Sequence, residues 1–259
     1  MINKIKVSVI IVTFNEEKRI RRCLESVRWA DEVVIVDQSS TDNTAAICRE
    51  YTRKVSVVSN KGYCEPDRPL ALSKASNEWI LYLDADESIT DGLRQEIEET
   101  LGYVAKFDSY YIPRKNMYLG KWVRYSGWYP NYIMRLFRKD KVTFSDRIHT
   151  DVTPIGTSGH LKNAIEHYTY ESIEEHVSKM IRYTNVLARQ SFERKERITA
   201  RNFFWKLALL PLGYSLKKYI FKQGYRDGVR GFLIAAFTFM TVFAANAKLW
   251  EMARTGRSK

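Results

Sequence analysis

The chain has 259 residues, of which 45% are hydrophobic and 13% aromatic; this excludes a disordered chain and allows one large domain or two fused subdomains with a real core. The formal charge is +12, but residues 201–259 hold eleven Lys and Arg against two Asp and Glu, so the basicity belongs to a tail and points to an anionic partner for that tail. Three cysteines, Cys23, Cys48 and Cys64, form no CxxC pair, which argues against a disulfide framework or zinc site and fits a reducing compartment.

Met1-Ile2-Asn3-Lys4 leads straight into a strand-like run, without the apolar region and cleavage site of a signal peptide, so a cytoplasmic protein is expected. Lys6 to Thr13 is a β-branched run of buried-strand type. Asn15-Glu16-Glu17 then opens a helix with Ile20, Cys23, Leu24 and Val27 on one face. Glu32 to Val36 is a second strand ending at Asp37. The turn from Ser39 to Thr44 is rich in N-capping residues, with Asp42 the expected cap, and a helix follows towards Tyr51. Val55 to Ser59 is a third strand, Leu70 to Ala75 a helix, and Trp79 to Leu83 a fourth strand ending at Asp84. Strands alternating with helices make an α/β fold with a mainly parallel sheet.

The middle differs. Tyr110 to Arg138 is aromatic and basic, with Gly120, Gly127 and Pro130 breaking regular patterns, and Ile173 to Arg197 reads as a charged amphipathic helix. Phe203 to Phe221 and Phe232 to Phe243 are apolar with basic neighbours. The longest uncharged stretch, residues 231–247, is short for a bilayer span and contains Thr238, Thr241 and Asn246. It is expected to lie in a membrane interface or to dock on the protein. The consecutive segments expected are residues 1–105 and 106–200, then a basic amphipathic helical tail over 201–259.

Ligands of open α/β sheets bind at the carboxyl ends of the strands. Phe14-Asn15, Asp37 and Asp84 lie at three such ends. Asp84-Ala85-Asp86 places two carboxylates two residues apart just past a buried strand, where they can share a hard cation such as Mg²⁺ or Mn²⁺ with phosphate oxygens. A DxD alone is a weak signal and more often a solvated acidic turn; its position at a strand end, followed by Glu87, favours the metal. Asp37 can accept hydrogen bonds from a base or ribose, or make a local Asx turn. No GxGxxG follows the first strand and no GxxxxGK[ST] occurs, which disfavours a dinucleotide site and a P-loop.

Val7 to Glu17 (VSVIIVTFNEE), Asp31 to Thr44 (DEVVIVDQSSTDNT) and Asn77 to Glu87 (NEWILYLDADE), in this order and spacing, resemble family 2 glycosyltransferases of the GT-A fold. Gly120 to Lys139 and the tail resemble the bacterial branch that adds sugars to the lipopolysaccharide core. The resemblance implies a Rossmann-like GT-A catalytic domain with a C-terminal helical, membrane-associating extension. It implies that Phe14 and Glu16, flanking Asn15, contact the nucleotide, Phe14 standing where Tyr is more usual. Asp37 would bind uracil or ribose, Asp84 would reach ribose and metal, and Asp86 would ligate the metal. Arg68 lies where the family often places a nucleotide or phosphate contact, but within Glu65-Pro66-Asp67-Arg68-Pro69 rather than the commoner pattern. The branch usually carries a His-Glu pair in its second half; here His149 is followed by Thr150, so the base on the acceptor hydroxyl is Asp151 or Asp146, with Asp151 slightly favoured. His149 is a metal ligand or acceptor contact. Trp128 and Tyr129 offer an acceptor platform or core packing, and Arg135 and Arg138 bidentate contacts to phosphates.

The expected activity is therefore inverting, metal-dependent transfer of a hexose, glucose first, from a UDP-hexose donor to a lipid-anchored glycan such as lipopolysaccharide core. The site of action is the inner face of the cytoplasmic membrane, where the basic, apolar tail meets an anionic surface. The apolar part of the tail also offers a surface to a second copy of the chain, as a homo-oligomer. Alternatives are transfer to polyprenyl phosphate and a non-enzymatic basic module for membrane or nucleic acid. Charge confined to the tail and the lack of a nucleic-acid motif weigh against a nucleic-acid partner.

Overall fold

The structure is a computed structural model and describes residues 5–102, 105–144 and 152–255. The chain forms two compact units that cut across the three consecutive segments expected. The first unit is Met1–Lys115 with Asn131–His167; the second is Asn116–Pro130 with Tyr168–Lys259.

The first unit is built on a sheet. Its early elements are β1 (Val7–Thr13), α1 (Ile20–Ser26), β2 (Glu32–Asp37), α2 (Thr44–Tyr51), β3 (Val55–Val57), α3 (Arg68–Lys74), β4 (Trp79–Asp84), β5 (Glu87–Ile89) and α4 (Asp91–Gly102). Then come β6 (Ser109–Tyr118), β7 (Lys121–Trp122), β8 (Asn131–Arg138), β9 (Val142–Thr143), β10 (Thr153–Pro154), β11 (Ser158–His160) and β12 (Ile165–Tyr170), of which β7 and the last three residues of β6 and of β12 fall in the second unit. The sheet order is β3-β2-β1-β4-β8-β6-β12-β5, with β7 and β11 also paired to β6. β1 runs parallel to β2 and β4, and β2 parallel to β3; β8 is antiparallel to both β4 and β6. All seven residues of β1 are buried, as a central strand covered on both faces requires. Each fully buried Val or Ile there contributes about 1.5–3 kcal/mol. Ile20, Cys23 and Leu24 of α1 and Leu93, Ile97 and Leu101 of α4 recur every three or four positions and close over the sheet's core.

One local expectation shifts. The first helix starts at Ile20, not at residues 15–17, because Asn15 takes a left-handed conformation (φ 53°) and ties its side chain to Thr41. A turn results, in which Arg19 and Ile20 both donate backbone N–H to the Glu16 carbonyl, at 2.9 and 2.8 Å.

The second unit is helical. It holds α5 (Ile173–Glu193), whose N-cap Ser172 accepts the Glu175 N–H at 3.0 Å, then a helical rod around α6 (Leu210–Leu216) with wider turns at Trp205–Leu209 and Lys217–Phe221. After a short turn at Gly224–Asp227 comes α7 (Val229–Thr255). Tyr118, Val123 and Ile234 form the unit's small buried cluster, with Trp128 and Tyr170 against it. His176 bonds Tyr118 Oη through Nδ1 at 2.9 Å and stacks on Tyr170; burial and Lys179 push its pKa down to about 4, so it is a neutral core histidine. α7 is longer than the uncharged stretch suggests: 27 residues, about 40 Å. By length and composition alone it could cross a bilayer. It is also tied down along its length. Arg230 donates to the carbonyls of Tyr118 and Leu119, Asn246 to that of Lys206, and Lys248 to Thr184 and Asn185 on α5.

Candidate functional site: an acidic rim at the strand ends

Strand register puts the expected acids on one rim. Thr13 of β1 pairs with Asp37 of β2, and Val12 of β1 pairs with Asp84 of β4, so both aspartates end strands that flank β1. The chain passes from β1 to β2 and β3 on one side and then crosses to β4 on the other. This makes the carboxyl end of β1 a topological switch point, where open α/β sheets bind their ligands.

Asp84 sits in a web of charge. Its Oδ1 accepts from Tyr82 Oη at 2.6 Å, and its Oδ2 is bonded to Arg135 Nη2. The same guanidinium nitrogen donates to Glu87 Oε1 at 2.9 Å, Glu87 Oε2 accepts the Asp84 N–H at 3.1 Å, and Arg114 stands 3.6 Å from Glu87. Arg68 and Arg135 both lie over the Tyr82 ring, 4.9 and 4.4 Å from its centroid. Burial pushes the Asp84 carboxyl up, but Arg135, Arg68 and the Tyr82 hydroxyl outweigh it and hold it well below the usual carboxylate range. Arg135 is likewise held charged: burial opposes its charge, and Asp84 and Glu87 overcome it.

Asp86 faces another way. Its Oδ2 lies 3.4 Å from His167 Nε2, and both side chains are mostly buried. β12 delivers this histidine, because its antiparallel register with β5 sets His167 opposite Glu87. A carboxylate oxygen and an imidazole nitrogen are a donor pair that suits a divalent ion whose remaining positions are filled by phosphate oxygens and water. Among the described residues no group of three or more His, Cys, Asp or Glu gathers for a metal. Asp86 and His167 supply two donors of the kind such an ion takes; Asp84, expected as a second ligand, is engaged by Arg135 and Tyr82.

Two loops frame the rim. Asp37 is buried and accepts Ser40 N–H at 3.0 Å and Ser40 Oγ–H at 2.5 Å, the local Asx arrangement weighed from sequence. Asn15 receives the Thr41 N–H at 2.8 Å, Glu16 donates its N–H to Thr44 Oγ1 at 2.8 Å, and its carboxylate pairs with Arg19. Asp42, expected as the cap of α2, stands one residue before the N-cap Asn43 and accepts the Thr44 N–H at 2.9 Å. Phe14, at the end of β1, is half-buried. Arg68 begins α3 and faces Glu65 at 4.0 Å. Asp67 before it is buried, receiving Gln38 Nε2 and Lys61 Nζ at 2.6 Å each, which fixes the loop between β3 and α3 against β2.

Several expected residues stand elsewhere. Arg135 does not reach out as an exposed phosphate contact; it is a buried counter-ion between Asp84 and Glu87, since β8 is an interior strand beside β4. Arg138 pairs with Glu78 at 2.8 Å on the surface. Trp128 and Tyr129 belong to the second unit, edge-on to Tyr118 and Trp122 respectively. Asp146, His149, Thr150 and Asp151 lie outside the described residues. His167, Tyr82, Arg114 and Glu87's pairing role were missed from sequence; the position of Glu87 directly after the DxD was the one available signal. A groove of about 760 Å³ opens at the amino ends of the strands, but its charged walls pair with each other, as in Arg21–Glu50 at 2.7 Å and Lys54–Glu32, and it lies at the edge opposite the switch point.

The model of the family "Glycosyl transferase family 2" matches residues 8–152, more than half of the chain and all of the acidic rim except His167. The chain belongs to this family. The lipopolysaccharide core biosynthesis glycosyltransferase LpsC of Rhizobium meliloti is 28% identical, over 97% of this chain and 94% of its own. An uncharacterised glycosyltransferase of Rickettsia typhi is 30% identical, over 98% of this chain and 89% of its own. Among solved structures, TarS residues 1–349 of Staphylococcus aureus in complex with UDP-GlcNAc superposes with a TM-score of 0.52 at 19% identity, covering 98% of this chain and 93% of that one. The mannosyltransferase PcManGT of Pyrobaculum calidifontis, in complex with GDP-Man and Mn²⁺, gives 0.52 at 13% identity, covering 94% and 86%. This glycosyltransferase thus has the GT-A fold of these neighbours, a mixed α/β fold with a largely parallel first half and an apolar helix over Val229–Thr255.

Proposed function

We propose that this glycosyltransferase moves a hexose, glucose first, from a UDP-hexose donor to a lipid-anchored glycan of the lipopolysaccharide-core type, with inversion, at the inner face of the cytoplasmic membrane. The observation that carries the reading is the rim at the switch point: Asp37 and Asp84 end the two strands that flank β1, and the Asp86–His167 pair lies just past the end of β4. Support for the acceptor class comes from the near full-length similarity to LpsC, and support for a UDP donor from the UDP-GlcNAc complex of TarS.

Asp37 and the Phe14-Asn15-Glu16 loop bind the nucleoside, with Arg68 towards the phosphates. Asp86 and His167 hold a divalent ion, Mn²⁺ or Mg²⁺, in keeping with the Mn²⁺ bound by PcManGT. Such an ion, when bound, offsets the charge that develops on the departing diphosphate. Arg135 keeps Asp84 ionised and fixed, so the rim is preorganised before the donor arrives. Asp151 or Asp146 serves as the base on the acceptor hydroxyl, and Trp128 and Tyr129 stack on acceptor sugar rings.

A thermal-shift screen of UDP-, GDP-, CMP- and ADP-sugars with and without Mn²⁺ tests the donor. A ligand that binds only the native state raises the melting temperature by mass action, about 2.7 kcal/mol at a hundredfold excess over Kd. UDP-hexoses should shift the protein, more so with Mn²⁺. No shift with any sugar nucleotide would overturn the enzymatic reading of the rim, and transfer to polyprenyl phosphate rather than to core glycan in a lipid-extract assay would overturn the acceptor.

A further inference from the structure

The densest run of exposed apolar side chains is not on α7. It lies on the rod around α6 and the turn after it, where Phe204, Trp205, Leu212, Ile220, Phe221 and Tyr225 face solvent, Phe221 with 79% of its surface exposed. Beyond Phe232, the large exposed hydrophobics of α7 among the described residues are Met240, Phe243 and Trp250. A concentrated apolar surface of this kind marks an interaction site.

The end of the rod is also cationic. Lys217, Lys218 and Lys222 fall within one and a half turns, and Arg226 follows. The loop at 124–128 holds them there: the Ser126 N–H donates to the Lys222 carbonyl at 2.9 Å. Gly127 takes φ +73° and carries no side chain, and a Cβ at that position would meet the Lys222 stem at 3.6 Å and Lys218 Nζ at 3.8 Å. The one acid of this segment, Asp227, is turned into the same loop, accepting the N–H groups of Arg124 and Tyr125 at 3.1 and 2.9 Å. Lys218 is thus desolvated beside two like charges; burial, Lys222 and Lys217 all lower its pKa, and no carboxylate among the described residues offsets them. Clustered, partly buried ammonium groups are unfavourable until an anion joins them.

We propose that residues 217–226 are the bilayer-docking corner of this chain: Lys217, Lys218 and Lys222 receive the phosphates of anionic phospholipid headgroups while Ile220, Phe221 and Tyr225 enter the acyl boundary. The inference rests on the membrane-surface reading above and sharpens it, moving the contact from α7, which Arg230, Asn246 and Lys248 anchor to the protein, to this corner. A second copy of the chain is the lesser candidate, because a two-fold contact through this patch sets the same uncompensated lysines against each other. An anionic bilayer has the required complement: apolar below, phosphate at the level of the cations.

The test is co-sedimentation of the full-length protein with vesicles of phosphatidylcholine alone and of phosphatidylcholine with phosphatidylglycerol. Each variant is first shown by circular dichroism to melt like the parent. Lys218→Gln/Lys222→Gln should lose roughly 30-fold in partitioning to the anionic vesicles, about 5-fold per cation, and little on the neutral ones. Phe221→Ser should lose about tenfold on both. Met240→Ser/Phe243→Ser on α7 should bind as the parent does. Loss of binding in the α7 variant with binding retained in the other two would overturn the inference, as would a concentration-dependent dimer broken by the lysine variant. A parent protein that binds neither vesicle would overturn the membrane reading itself, while the UDP-sugar thermal shift, read on the same samples, reports separately on the enzyme.

Discussion

Arg135→Met is the most informative single change on the rim. The substitution keeps an unbranched apolar stem but removes the guanidinium that bonds both Asp84 and Glu87. Removing one partner of a buried ion pair leaves an uncompensated charge and typically costs about 3–5 kcal/mol. Two features of the structure put this case near the lower end. Glu87 keeps Arg114 at 3.6 Å, and the Asp84 side chain retains 32% exposure through which water can partly replace the lost partner. A loss of about 3 kcal/mol corresponds to a fall in melting temperature of roughly 6–12 °C for a domain of this size. The pH dependence follows from the sign of the Asp84 shift. A carboxyl held below its unfolded value of about 3.9 contributes stability that is fully present above that pH and is lost as the pH falls through the folded value. Without Arg135, only Arg68 and the Tyr82 hydroxyl oppose burial at Asp84, so the variant takes up a proton at higher pH than the parent and its acid-unfolding midpoint moves to higher pH. Adding Glu87→Gln to Arg135→Met should restore part of the loss, because it removes the more deeply buried of the two carboxylates that lose Arg135. Urea unfolding of the parent, the single and the double variant at neutral and acid pH reads all three quantities. A single variant within about 1 kcal/mol of the parent, or a double variant no more stable than the single, would refute the reasoning.

Other outcomes follow from the same geometry. His167→Ala should lower Mn²⁺-stimulated sugar transfer by about 100-fold while leaving the metal-free thermal shift with UDP intact; unchanged metal stimulation would remove His167 from the metal site. Gly231→Ala should destabilise the second unit by about 3 kcal/mol, because a Cβ there would stand 1.7 Å from the Gly224 carbonyl oxygen and backbone, not a flexible side chain, would have to move; a melting temperature equal to the parent's would show that the start of α7 is not packed as described. Burial pushes the Cys64 thiol up to about 12 and Cys48 also to about 12, so labelling of the native protein with a maleimide at neutral pH should be far slower than after denaturation; equal rates would contradict the burial of these thiols.

The strands β1, β2 and β4 were legible because each is a mostly apolar run that stops at a polar residue, and the register shows that Asp37 and Asp84 share a rim. The start of α1 was not legible. Asn15-Glu16-Glu17 has helix-opening chemistry, but Thr41, Ser40 and Thr44 capture its polar groups across the sheet edge, a contact 25 or more positions away. Arg135 was misplaced for the same reason. Its exposure could not be read from an aromatic, basic segment, and its partners lie 51 and 48 positions back in the chain. His167 sits in a short strand whose importance rests wholly on its pairing with β5. The compact units escaped a linear reading because the chain leaves the first unit at Asn116 and re-enters it at Asn131.

Asp84-Ala85-Asp86 thus combines two jobs that spacing alone cannot separate. Both residues are aspartates at one strand end, yet their environments are opposed. Asp84 has its two oxygens occupied by Tyr82 and Arg135 and is held ionised as part of a rigid frame. Asp86 lies past the strand, beside an imidazole whose nitrogen can bind a metal or give up a proton. The frame is what makes the second position useful. Glu87, buried beneath it, takes the Asp84 N–H and the Arg135 guanidinium together, which fixes the turn between β4 and β5. That turn sets where Asp86 points, and the β5–β12 register sets His167 against it. A sequence carrying the DxD without the trailing glutamate and the distant arginine would present the same two carboxylates without this control of their charge and direction. The motif's chemistry here depends on six residues, four of which the motif does not contain: Tyr82, Glu87, Arg135 and His167.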